Sequence, residues 1–89
     1  MQQTDLAVRN ARGLHARPAA VFVETAQTFA SQITLVKNGR RANAKSILSI
    51  MTLDIRSGDV VTLEADGADE ANAVAALSEL VANRLAESE

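Results

Sequence analysis

The sequence predicts an α+β fold: one four-stranded antiparallel sheet covered by three helices on one face, in the order β-α-β-β-α-β-α. Three observations point to it. Apolar residues alternate with period two in short stretches and recur at helical spacing in longer ones. An Asn38-Gly39 pair between two candidate strands is the strongest short hairpin signal in the chain, since a type I′ turn needs φ > 0 at both central residues. The chain, at 89 residues, is long enough for one domain spanning 1–89 and too short for two. Helices gathered on one face leave the other face of such a sheet to solvent.

Thr4 to Val8 alternates, with Leu6 and Val8 on one face, and reads as the first strand. A loop from Asn10 to Leu14 carries Arg12, and Gly13 lets the chain turn sharply into the helix that follows. That helix runs from Ala16 to about Phe29, with Pro18 in its first turn, where the missing N–H does no harm. Ala19, Phe22, Val23, Ala26, Phe29 and Ala30 form the stripe expected to pack on the sheet. Ile33 and Leu35 alternate with Thr34 and Val36 in a second strand, and Arg40 to Ala44 returns as a polar third strand, short or at an edge. Ser46 is a natural N-cap for a short helix from Ile47 to about Leu53. The helix is apolar nearly all round, and its own domain covers only one face. Part of the set Ile47, Leu48, Ile50, Met51 and Leu53 is therefore expected at the surface. Val60 to Ala65 is the fourth strand, and Asp66-Gly67 turns the chain into a last helix from about Asp69 to Leu85. Ala73, Val74, Leu77, Leu80, Val81 and Leu85 make its buried stripe, Asp69 and Glu70 complement its dipole, and the tail 86–89 is expected to fray.

Composition excludes several classes. With no cysteine and one histidine there is no disulfide and no transition-metal cluster, and no cofactor is expected. The first residues lack the basic and apolar regions of a signal peptide, and no apolar run approaches the ~20 residues of a membrane span, so a cytoplasmic protein is expected. A nucleic-acid module needs exposed aromatic residues on strands. The only aromatics, Phe22 and Phe29, lie in a predicted helix, and the chain is acidic overall. Charge is unevenly divided: seven basic residues against two acidic up to Lys45, a balance of +5, then two against nine, a balance of −7. Such asymmetry suits an acidic partner or ligand near the first half, or simply solvates the surface.

The chemistry concentrates in Gly13-Leu14-His15-Ala16-Arg17-Pro18-Ala19-Ala20, which holds the only histidine and the only proline. His15 falls at a helix N-terminus, where free N–H donors and the helix dipole favour an anion. Arg17 adds a guanidinium suited to phosphate oxygens. An imidazole so placed is a nucleophile with donors ready for a phosphoryl group. On the residues alone, an ordinary helix-edge histidine remains open.

This stretch resembles the active-site signature of HPr, the histidine-containing phosphocarrier family of the bacterial phosphoenolpyruvate:sugar phosphotransferase system. A second block, Lys45-Ser46-Ile47-Leu48-Ser49-Ile50-Met51, is similar to the family's regulatory-serine region, and Gly67-Ala68-Asp69-Glu70 before the last helix also matches. The resemblance implies an HPr-like open-faced β-sandwich. It implies that His15 accepts phosphate at Nδ1 from Enzyme I, charged by phosphoenolpyruvate, and donates it to IIA components of sugar transporters. Arg17 would steady the phosphoryl group, and Arg12, Ala16, Ala20, Ile47, Leu48 and Met51 would meet the partners. Such a protein is a carrier with a phosphohistidine intermediate, dependent on partner enzymes, and not an enzyme in its own right. Ser46 aligns with the serine that an HPr kinase/phosphorylase modifies, in connection with a transcriptional regulator of carbon catabolite control. On the residues alone Ser46 reads first as a plain N-cap. Enteric members often carry lysines where this chain has Glu24, Gln27 and Ser49, so its basic character has to come from Arg9, Arg12, Arg17, Arg40, Arg41 and Lys45. The other reading is a regulatory HPr paralogue, from a nitrogen-related or incomplete phosphotransferase system, without a transport role. A monomer is expected, with no nucleic-acid or membrane partner.

Overall fold

The structure, a computed structural model, describes residues 1–85. β1 (Gln2–Ala7), α1 (Ala16–Ala26), β2 (Gln32–Lys37), β3 (Arg40–Asn43), α2 (Ile47–Met51), β4 (Val60–Asp66) and α3 (Glu70–Glu79) follow one another in the predicted order. Beyond α3 the helix widens into a π-helical turn, Leu80–Arg84. The strands form a single antiparallel sheet in the order β1-β4-β2-β3.

Period-two patterning decides which face the helices cover. Leu6, Ile33, Leu35, Ala42, Val61, Leu63 and Ala65 are buried in one core with Ala19, Phe22 and Ala26 of α1, Ile50 of α2, and Ala73 and Leu77 of α3. Phe22 is completely buried, and the remaining core is aliphatic and alanine-rich, so the helices sit close to the sheet. The opposite sheet face is polar. Thr62 donates to Asp5 at 2.9 Å, and Arg41 pairs with Glu64 at 2.6 Å. The β2–β3 hairpin turns at Asn38 (φ 51°) and Gly39 (φ 79°), the two positive φ values that a type I′ turn requires. Polar β3 is indeed a four-residue edge strand.

Several boundaries differ from expectation for local reasons. α1 ends at Ala26, not near Phe29. The Thr25 and Thr28 hydroxyls donate to the carbonyls of Val21 and Thr25, and the backbone tightens into Thr28 N–H to Thr25 O and Phe29 N–H to Ala26 O bonds. Phe29 is consequently only half-buried, though still packed against the core, and Ala30 is exposed and leaves the predicted stripe. α2 stops at Met51 because Thr52 donates to Ser49 O at 2.6 Å and Asp54 enters the left-handed region at φ 49°. Leu53 is nevertheless buried. Val8 lies past the end of β1, exchanging backbone bonds with Asp59 (2.9 Å) and Gly58 (2.8 Å). Asp69 precedes α3 and spends its carboxylate on the Ala30 and Ser31 N–H groups (2.8 and 2.9 Å) and the Ser31 hydroxyl. The expected fraying of residues 86–89 lies outside the described residues.

Candidate functional site

The loop before α1 is set by a tertiary contact. Gly13 has φ 69°, and a Cβ there would collide with the carbonyl oxygen of Ile55 and the backbone of Arg56. Only glycine lets the loop lie this close. Gly13 N–H closes a turn onto Asn10 O at 2.9 Å, and Leu14 N–H bonds Ile55 O at 3.0 Å while its side chain is buried. The next residue, His15, is thereby delivered to the N-cap of α1 in an extended conformation, φ −76° and ψ −173°. Its carbonyl accepts Ala19 N–H at 3.0 Å and opens the helical ladder, while its side chain takes no part in capping. The N–H groups of Ala16 and Arg17 lie in the first turn ahead of that ladder, and Pro18 has none to offer.

His15 is half-buried, and its Nε2 is enclosed with no hydrogen-bond partner among the described residues. The ring borders a cavity of about 160 Å³ lined by Arg12, Leu14, His15, Met51, Asp54, Ile55 and Arg56. Two arginines, Arg12 and Arg56, therefore border the space beside His15. Arg56 is bound to Asp54 through Nη2 at 2.8 Å and Nε at 3.1 Å. Those hydrogen bonds, then the guanidinium charge, hold the Asp54 carboxyl below its ordinary range and push Arg56 up. The loop beneath is braced by Lys37, which pairs with Asp59 at 2.8 Å and donates to Asp54 O, and by Asp59 accepting Arg56 N–H at 2.8 Å. The bond from Lys37, followed by that from Arg56 N–H, lowers the Asp59 carboxyl in turn.

The fold gathers Arg12, His15 and Met51 of the sequence-predicted residues around one cavity. Ala16 and Arg17 are exposed in the first turn of α1, and Ala20 is half-buried one turn on. α2 divides as expected: Ile50 is buried, Ile47 half-buried, and Leu48 and Met51 remain 78% and 42% exposed. The two helices pack together. Met51 stands at the His15 end of α1, and Gln27, at the other end, donates to Lys45 O at 3.2 Å, so the helices run antiparallel. Ser46 caps α2 by accepting Ser49 N–H at 3.3 Å. It therefore lies toward the C-terminal end of α1, whereas His15 opens the N-terminal end.

Part of the expected basic surface is committed elsewhere. Arg41 lies on the open sheet face against Glu64, and Lys45 donates to Phe29 O at 2.6 Å below the end of α1. Arg56, which sequence reasoning missed, is the further basic residue lining the His15 cavity. It and Asp54 fall in an aperiodic loop, and only the docking of Leu14 on Ile55 brings them there. The signal available was an acid and a base two residues apart just after an apolar helix.

Residues 2–83 match the family model described as the PTS HPr component phosphorylation site. The phosphocarrier protein HPr of Cupriavidus necator is 46% identical over 89 residues, covering 100% of both chains. The crystal structure of HPr-C-His from Thermoanaerobacter tengcongensis superposes with a TM-score of 0.94 at 45% identity, covering 100% of this chain and 99% of that one. An HPr dimer from the same organism gives a TM-score of 0.77 at 46% identity, covering 96% and 98%. No helix among the described residues is long and apolar enough to cross a membrane.

Proposed function

The chain belongs to the HPr family of phosphotransferase-system phosphocarriers, and from that premise we propose that His15 accepts a phosphoryl group from phosphoenolpyruvate-charged Enzyme I and passes it to IIA components of sugar transporters. The observation that carries this reading is the placement of His15 at the N-cap of α1, beside a cavity, with Nε2 enclosed. An enclosed Nε2 favours Nδ1 as the nitrogen that meets the donor. The Nδ1 lone pair attacks phosphorus in line, the bond from phosphorus to the donor breaks, and the donor keeps the electron pair. The ring retains its proton on Nε2. First-turn N–H groups and the Arg17 guanidinium then hold the phosphoryl oxygens. Transfer to the acceptor reverses these events, so the protein is returned unchanged and acts as a carrier.

Ile47, Leu48 and Met51 form the apolar part of the docking face, with Arg12, Ala16 and Ala20 completing it around the histidine. Exposed apolar side chains flanked by cations suit brief encounters with acidic partners by a monomer. Phosphate on Ser46, placed there by an HPr kinase/phosphorylase, acts on this face and not on the chemistry of His15. There it deters Enzyme I and creates a surface for a transcriptional regulator.

The test is incubation with Enzyme I and labelled phosphoenolpyruvate, comparing the native chain with His15→Ala. Acid-labile label on the native chain alone is the expected result. An unlabelled native chain beside an active, cognate Enzyme I refutes the reading and leaves a regulatory HPr paralogue.

A further inference from the structure

The His15 cavity contains an ion pair that the carrier reading leaves unused. Arg56 and Asp54 both line it, bound to each other through two hydrogen bonds of 2.8 and 3.1 Å. Two features mark the pair as a device and not as decoration. Asp54 occupies φ 49°, a conformation that side chains other than those of glycine, asparagine and aspartate rarely adopt. Arg56 has its backbone N–H fixed by Asp59 while its side chain is 76% exposed. The side chain is thus anchored at its root and held at its tip only by an exposed ion pair.

We propose that Arg56 is a second guanidinium contact for the phosphoryl group carried by His15, held aside in the unphosphorylated protein by Asp54. This rests on the phosphocarrier reading. The cavity, about 160 Å³, has the room of roughly five water molecules at ~30 Å³ each and admits a phosphoryl group beside the ring. An exposed ion pair is weakly held, whereas a phosphoryl dianion presents twice the charge of a carboxylate and three acceptor oxygens in the planar spacing that a guanidinium fits. Arg56 therefore exchanges Asp54 for phosphate by side-chain rotation alone. When the phosphoryl group leaves, Asp54 takes the guanidinium back.

The experiment follows the Arg56 Nε–Hε resonance in ¹⁵N-labelled protein before and after phosphorylation by Enzyme I and phosphoenolpyruvate, with Arg56→Lys providing the assignment. The resonance is expected to move on phosphorylation, and in Asp54→Gly the unphosphorylated protein should already show it displaced. At equilibrium with Enzyme I and phosphoenolpyruvate, Arg56→Ala is expected to shift the phosphoryl-transfer constant about tenfold away from the phosphorylated protein, and Arg56→Lys to recover part of that loss. A native chain that takes label while the Arg56 resonance stays fixed overturns the proposal, as does a raised KM for Enzyme I with the equilibrium unchanged, which marks a docking cation. A native chain that takes no label sinks the phosphocarrier reading first, and this one with it.

Discussion

Single residues in this chain matter through backbone geometry as much as through chemistry. Gly13 and Gly39 both have positive φ, yet a Cβ at Gly39 meets nothing within 4 Å, whereas one at Gly13 strikes the Ile55–Arg56 backbone. Gly39→Ala is expected to cost only the conformational penalty, about 1 kcal/mol. Gly13→Ala adds a collision and should cost about 3 kcal/mol, lowering Tm by roughly 12–24 °C in a thermal melt. It should also slow phosphorylation, because the same contact positions His15. A Gly39→Ala loss equal to that of Gly13→Ala would mean that the Ile55 approach is slack. Gly13, His15 and Pro18 were legible in the sequence because each is a residue type with a narrow local use. Asp54 and Arg56 were not, since an acid and a base two residues apart read the same whether they line a cavity or are solvated.

Among the elements, α2 shows how a five-residue helix divides its side chains between core and surface. Ile50 is 1% exposed and Leu48 78%. Ile50→Ala is expected to destabilise by about 2–4 kcal/mol in urea unfolding, and Leu48→Ala by less than about 0.5 kcal/mol. Partner transfer should show the reverse order of sensitivity, with Leu48→Ala raising KM for Enzyme I several-fold while the fold remains intact. Ser46→Ala removes the cap and should cost about 1 kcal/mol, a structural effect separate from the phosphorylation proposed for this residue. Sequence periodicity established that α2 exists and that part of it is exposed. Its end at Met51, like that of α1 at Ala26, depends on threonine hydroxyls competing for carbonyls, which an apolar pattern does not register.

For the whole molecule, the acid limb of stability follows from carboxylates that fold into hydrogen bonds. Asp69 is held below its ordinary 3.8 first by the Ser31 hydroxyl and then by Ala30 N–H, and Glu70 below 4.5 first by Gly67 N–H and then by the chain's amino terminus. Each folded-state pKa lies below the unfolded one. The stability these groups contribute is therefore complete above the unfolded values and disappears as pH falls through the folded ones. Urea unfolding between pH 2 and 7 should show a plateau at the upper end and a decline below about pH 4. Asp69→Ala should lower the plateau and blunt the decline; an unaltered acid limb would remove Asp69 from this account. The amino terminus works in the opposite sense. Glu70 raises it above 8.0, so its contribution is lost as pH rises through the folded value. Antiparallel topology and the one-sided core were readable because period-two patterning and the Asn38-Gly39 turn each admit few arrangements. The reach of Asp69 across to Ala30 was not, being a contact between residues 39 apart in sequence.

The strand order β1-β4-β2-β3 also dictates a timetable. A ribosome releases β1 first, yet β1 has no neighbour in the sheet except β4, which follows more than fifty residues later. At about 5–20 residues per second, the early strand waits several seconds for the one that closes it against β2. The Ile55 carbonyl that seats Leu14 arrives only shortly before β4. A nascent chain thus carries its histidine in an unformed loop for most of synthesis. The histidine takes its place at the N-cap of α1 only once that carbonyl and the sheet beside it are in position.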